Sequence, residues 1–186
     1  LCERVEVLQK WFLDRGVLVE SLDLGGGLGV DYQDPMGNPI ANFEEYFSII
    51  NKNLIVRPGQ SVHFEPGRAI VAQCGSLISR VLYVKKGKGI KFAILDAGMN
   101  DLIRPALYHA HHKIENLTST GRKMRYDVVG PVCESSDFWD KKVLLPETSR
   151  GDIIAIRSAG AYGQVMGMRY NQRDLAKAYY SDDLKK

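Results

Sequence analysis

The chain has 186 residues, 45% of them hydrophobic and 25% charged, with 18 glycines and 7 prolines, a globular composition that excludes disordered, collagen-like and disulfide-scaffold chains. No apolar run approaches the roughly 18 residues that a membrane-spanning helix requires, which excludes a helical membrane protein. Lys and Arg number 25 against 22 Asp and Glu, a net charge of +3; the charges are interspersed, so no nucleic-acid partner is called for and a small charged metabolite remains open.

Cys2, Cys74 and Cys133 form an odd set at wide spacings, fitting neither a disulfide framework nor a CxxC metal site and pointing to a reducing, cytoplasmic compartment. The opening residues are not expected to form a signal or transit segment. It opens without Met on Leu1-Cys2-Glu3-Arg4 already in helical register, which reads as a cut rather than a beginning.

Val5, Leu8, Trp11 and Phe12 recur at three- and four-residue intervals and stop at Gly16, predicting an amphipathic helix. Val17 to Leu24 predicts a buried strand running into a Gly25-Gly26-Gly27 loop. Asn42 followed by Glu45 resembles a capping box, with Phe43, Tyr46, Phe47 and Ile50 as the apolar face of a second helix. Ser61 to Phe64 predicts a second strand, broken by Glu65-Pro66-Gly67-Arg68.

Up to about residue 75 this is the alternation of an α/β protein with a parallel sheet. Residues 76–99, 123–134 and 151–166 are β-rich, with a short helical stretch at 100–112, so the predicted domains are 1–80 (α/β) and 81–186 (β). The polar stretch from Gln172 to Lys186 is expected to be partly disordered. Two βα units cannot close a (β/α)8 barrel, and the chain therefore reads as the C-terminal part of something longer.

Five segments carry candidate chemistry. Gly25-Gly26-Gly27-Leu28-Gly29 offers either backbone N–H groups for a phosphate or a tight turn without a ligand, and its spacing is not that of a dinucleotide fingerprint. Glu65 and Arg68 arrive together at a strand end, as site residues or as a structural salt bridge. Arg104 and Tyr108, four residues apart and so able to share a helical face, suit a carboxylate. Cys133 and Glu134 place a thiol beside an acid after a strand, and Tyr162 is flanked by small residues that leave room for a ligand. His109, His111 and His112 invite a metal, but no carboxylate or Cys stands at ligand spacing, and a solvated loop is the better reading.

In this order, from Asp23-Leu24-Gly25-Gly26-Gly27 to Tyr170-Asn171, these segments resemble the fold-type III pyridoxal-phosphate decarboxylases. The resemblance implies the last portion of a TIM barrel followed by a C-terminal β-barrel or sandwich domain, in a homodimer with active sites shared between subunits. It implies pyridoxal 5'-phosphate as cofactor and no metal, with Gly25, Gly26, Gly27, Glu65, Gly67, Arg68 and Tyr162 at the cofactor. Glu65 would sit against the pyridine nitrogen. Arg68, Arg104, Tyr108, Glu134 and Tyr162 would bind substrate, and Cys133, reaching across from the other subunit, would be the catalytic proton donor.

A substrate with both a distal carboxylate and a distal ammonium matches Arg104, Tyr108 and Glu134 together, which favours decarboxylation of meso-diaminopimelate to L-lysine and CO2. Ornithine, arginine and carboxynorspermidine are weaker matches. A non-catalytic relative acting as a binding module is the rival from another class, and alanine racemase shares the barrel but not the Cys-Glu-Ser segment. The family's Schiff-base lysine has no counterpart in these residues, so these 186 residues alone are expected to be inactive.

Overall fold

The computed structural model describes residues 1–183 and divides the chain into two compact units. One comprises Leu1–Val30 with Ile40–Ile70; the other comprises Asp31–Pro39 with Val71 onward. The division falls at 70/71, ahead of the residue-80 boundary read from sequence, because Leu77–Arg80 already pair with a strand near the end of the chain. The segment Asp31–Pro39 joins the second unit although it lies between elements of the first.

The first unit opens with helix α1 (Cys2–Leu13), after which Gly16 takes the left-handed conformation (φ 75°) that ends the helical path. Strand β1 (Ser21–Asp23) is shorter than the apolar run Val17–Leu24 suggests. It pairs in parallel with β2 (Ser61–His63), Leu22 opposite Val62, and with no other strand among the described residues. Helix α2 (Phe43–Asn53) starts with the expected capping box: Asn42 Oδ1 accepts the Glu45 N–H at 3.0 Å, and Asn42 Nδ2 donates to the Glu45 carboxylate at 2.9 Å. Its inner face meets the end of β2 through aromatic edges, with Phe47 and Phe64 at 5.0 Å and 86°. The break after β2 is a short helix, α3 (Gly67–Val71), rather than an open turn.

The second unit is built on six strands: β3 (Leu77–Lys86), β4 (Lys91–Leu95), β5 (Ile114–Asn116), β6 (Lys123–Val129), β7 (Phe138–Pro146) and β8 (Ile153–Ile156). Their order is β5-β8-β3-β4-β6-β7, antiparallel except for the β4–β6 pair. The two ends of that order also meet: Asn116 Nδ2 at the end of β5 donates to Thr148 Oγ1 just past β7 at 3.1 Å, so the sheet is nearly closed. Alternate residues face inward, and Val81, Leu95, Tyr126, Val128, Leu145, Ile154 and Ile156 form a fully buried core.

Strand β7 lies outside the β-rich windows read from sequence. Its middle, Asp140-Lys141-Lys142, is polar, and Lys142 has φ 56° at a point where the pairing with β6 shifts register. Those features hide the period-two pattern. Helix α4 (Arg104–Tyr108) is the short helix expected between β4 and β5, ending at left-handed His109. Within the polar tail, the Arg173 guanidinium donates to the Asp96 carbonyl, an ordered contact at its start. Residues 184–186, the end of the stretch expected to be partly disordered, lie outside the described residues.

Candidate active site

In the first unit the glycine loop and the acid after β2 are stitched together. Leu24 N–H donates to the His63 carbonyl at 3.0 Å and Glu65 N–H to the Gly25 carbonyl at 2.8 Å, carrying the parallel ladder into both loops. Tyr46 Oη, from the aromatic face of α2, donates to the Gly26 carbonyl at 2.8 Å. Gly26 is required by packing: a Cβ there would stand 2.6 Å from the Glu65 carbonyl oxygen. Gly25 and Gly27 have φ of 64° and 94°, backbone that side chains disfavour, with open space beside both.

Among the described residues the N–H groups of Gly26, Gly27, Leu28 and Gly29 donate to no protein acceptor, while Gly25 N–H is taken by Asp23. Unspent donors clustered around the left-handed Gly25 and Gly27, with open space beside those two, fit a phosphate. The Glu65 carboxylate and Arg68 guanidinium are both exposed, and neither makes an ion pair among the described residues, so the structural salt bridge weighed above is not formed.

In the second unit Arg104 is buried at 6% exposure whereas Tyr108, one turn further on, is 60% exposed. Helix α4 is only just over one turn long, and Arg104 is held inward by two partners that sequence reasoning did not pair with it. Its Nη1 donates to Tyr32 Oη at 2.8 Å and to His112 Nε2 at 2.9 Å. Tyr32 is presented by a loop that Asp31 organises, its carboxylate accepting the N–H of Gln33 and Asp34 and the Asn38 amide. Those hydrogen bonds, led by the Asp34 N–H, hold the Asp31 carboxyl below its ordinary range.

The histidine cluster is not a solvated loop throughout. His111 pairs with Asp140 at 3.1 Å, but His112 is buried at 2% exposure, its Nδ1 2.8 Å from the Arg157 carbonyl. Burial, opposed by the Arg157 carbonyl and reinforced by the Arg104 and His111 charges, pushes its imidazole down to about 4. A sequence signal for this existed: His112 stands two residues before buried Ile114, on the inward face of the strand path.

Cys133 and Glu134 are exposed on the loop between β6 and β7. Tyr170 Oη lies 3.4 Å from Glu134 Oε2, and Glu134 Oε1 accepts the Ser135 N–H. The loop is anchored by buried Asp137, which sequence reasoning missed. Tyr162 is exposed, and among the small residues before it Gly160 also answers a packing demand. Gly160 donates to the Ala72 carbonyl at 2.9 Å, and any side chain there would overlap the Val71 carbonyl oxygen, so close backbone approach demands the glycine.

A family model described as pyridoxal-dependent decarboxylase, C-terminal sheet domain, matches residues 14–160. The chain belongs to this family of pyridoxal-dependent decarboxylases. Among relatives, it is 56% identical over 184 residues to a diaminopimelate decarboxylase of Bacteroides thetaiotaomicron, covering 99% of this chain and 48% of that protein. It is 43% identical over 162 residues to the Zymomonas mobilis enzyme of the same name, covering 86% and 38%. The chain thus spans about half the length of the curated relatives it matches.

The crystal structure of diaminopimelate decarboxylase from Helicobacter pylori complexed with L-lysine superposes with a TM-score of 0.80 at 41% identity, covering 94% of this chain and 43% of that one. The nearly closed sheet of the second unit is accordingly the C-terminal sheet domain of a pyridoxal-dependent decarboxylase. A lysine/ornithine decarboxylase from Vibrio vulnificus, 24% identical with a TM-score of 0.79 and covering 91% and 45%, shares the fold.

Proposed function

We propose that this chain is the C-terminal part of an enzyme that decarboxylates meso-diaminopimelate to L-lysine and CO2, using pyridoxal 5'-phosphate. The observation that carries the substrate is Arg104. Its guanidinium is buried among neutral partners, with no carboxylate paired to it among the described residues. A buried cation in that state favours an anion from outside the protein. The distal carboxylate of diaminopimelate supplies one, whereas ornithine has none.

The first unit, with Val7, Leu8, Trp11, Val17 and Leu18 all exposed, is read as the last portion of a (β/α)8 barrel. The free N–H groups of the glycine loop would hold the cofactor phosphate, Gly67 would stand at the cofactor, and Tyr162 would line the cofactor and substrate pocket. Bound pyridoxal phosphate supplies an electron sink for the bond that loses CO2. Glu65, as a carboxylate against the ring nitrogen, would keep that nitrogen protonated and so strengthen the sink. As the family resemblance implies, Arg68, Arg104 and Tyr108 would grip the distal carboxylate through charge-assisted hydrogen bonds, and Glu134 would take the ammonium beside it. Cys133 delivers a proton to the carbon that has lost CO2. In a homodimer with shared sites, that thiol would come from the other subunit.

The test is turnover by the full-length protein supplied with pyridoxal phosphate. L-lysine should form from meso-diaminopimelate with a higher kcat/KM than the products of ornithine or arginine. Faster turnover of ornithine or arginine would sink the substrate assignment, and no turnover of any of them would favour the non-catalytic relative.

A further inference from the structure

We infer that His112 and Tyr32 are positioning residues for Arg104, fixing its guanidinium through Nη1 so that Nε and Nη2 stay available to a ligand carboxylate. The inference rests on the proposed role of Arg104 at the distal carboxylate of the substrate.

The hydrogen-bond roles follow from chemistry. The Arg157 carbonyl can only accept, so His112 Nδ1, 2.8 Å away, carries the proton. That leaves Nε2 with a lone pair, directed at an Arg104 nitrogen 2.9 Å away that can only donate. His112 is therefore a neutral acceptor in one tautomer, and the low imidazole pKa agrees with the geometry.

Tyr32 completes the support. Its hydroxyl accepts from the same Nη1 at 2.8 Å, its ring stands edge-on to His112 at 5.0 Å and 73°, and the guanidinium carbon lies 5.0 Å from its centroid. Both supports are uncharged, which is what separates this arrangement from a structural ion pair. An acid at Arg104 would neutralise it and compete with a ligand, as Glu115 does at Arg157, 2.6 Å away. Two neutral acceptors orient the group and leave its charge unspent. Nη1 is the only nitrogen of Arg104 with a partner among the described residues.

The experiment measures equilibrium binding of L-lysine, which retains the carboxylate, and of cadaverine, which lacks it, to the full-length protein loaded with pyridoxal phosphate. The variants are His112→Leu, His112→Gln, Tyr32→Phe and Arg104→Ala, with circular dichroism as the control for folding. His112→Leu should weaken L-lysine by roughly tenfold or more, and Tyr32→Phe by about threefold to tenfold, with cadaverine nearly unchanged. His112→Gln, whose Oε1 can still accept from Nη1, should retain most of the affinity. In the unsubstituted protein, histidine 15N shifts should show His112 protonated at Nδ1 and bare at Nε2.

If Arg104→Ala weakens L-lysine selectively while folded His112→Leu and Tyr32→Phe bind it normally, the positioning role is wrong and the role of Arg104 stands. If Arg104→Ala leaves the preference for L-lysine over cadaverine intact, the underlying reading of Arg104 is overturned. Should His112→Leu fail to fold, Tyr32→Phe and the tautomer decide the matter: normal L-lysine binding by Tyr32→Phe together with a proton on Nε2 overturns the inference.

Discussion

Asp137 accepts the Val132 N–H at 2.6 Å through one carboxylate oxygen while the other accepts the Met99 N–H at 2.7 Å. One buried side chain thereby ties the loop that carries Cys133 and Glu134 to the turn after β4. Gly130 makes the space for it, since any side chain there would overlap the carboxylate. Burial raises the Asp137 carboxyl above its ordinary range, opposed by these two N–H donors.

Asp137→Asn keeps the shape but sets an amide NH2 against one of the two N–H donors. An unfolding free energy lower by about 1–3 kcal/mol is expected, the usual scale for a buried donor left without an acceptor. Decarboxylation by the full-length protein should fall as well, because the Cys133 loop loses its anchor. Denaturant titration and steady-state rates measure the two effects, and a variant with unchanged midpoint and rate would show the clamp to be dispensable.

The glycine loop makes a paired prediction. Gly26→Ala places a methyl 2.6 Å from the backbone oxygen of Glu65, which cannot yield without separating the loop from the acid. Gly27→Ala meets nothing within 4 Å and suffers only from φ 94°, at a cost of about 1–2 kcal/mol. Absorbance titration with pyridoxal phosphate should find cofactor affinity weakened by Gly26→Ala far more than tenfold and by Gly27→Ala roughly tenfold. Equal, small effects would mean that the loop is not the cradle.

Cys133→Ala should retain cofactor and substrate binding while decarboxylation slows by about 10²–10⁴-fold, the range for loss of a positioned general acid. In the proposed homodimer with shared sites, mixing this variant with one lacking the Schiff-base lysine should restore part of the activity, because one site in each mixed dimer would then receive both intact groups. A full rate from Cys133→Ala, or mixed dimers that gain nothing, would count against the thiol's role or the shared site respectively.

His112 gives stability a pH dependence of defined sign. Its pKa is depressed from 6.5 to about 4 in the folded chain, so between those values the unfolded chain binds the extra proton and the folded one does not. The contribution is complete above about pH 6.5 and is lost as pH falls toward 4. At about 1.4 kcal/mol per pH unit, that window is worth roughly 3 kcal/mol. Unfolding midpoints measured across it should fall more steeply for the unsubstituted protein than for His112→Gln. Parallel slopes would show that His112 is not the titrating group.

Much of the first unit was legible in the sequence because its signals are local. The three-and-four spacing of α1, the Asn42–Glu45 box and the glycines after β1 each act within a few residues, through side chains and backbone angles that neighbours in sequence determine. The chemical identities of the candidate site, from Gly25 to Tyr162, were legible for a related reason: the types of residue in their order carry the family resemblance.

Tertiary structure alone decided which of those residues are buried, paired or free. Arg104 and Tyr32 are 72 residues apart and His112 and Arg157 are 45 apart, so no periodicity could couple them. Closing the sheet brings His112 inside, desolvates it and dictates its tautomer. Folding likewise moves Asp31–Pro39 into the second unit and lets β7, a strand interrupted by a polar middle, find its partner in β6. Local chemistry selects the elements and the reactive groups. Burial and partnership depend on chain segments that meet only when the core forms, and they set the charge state and orientation of those groups.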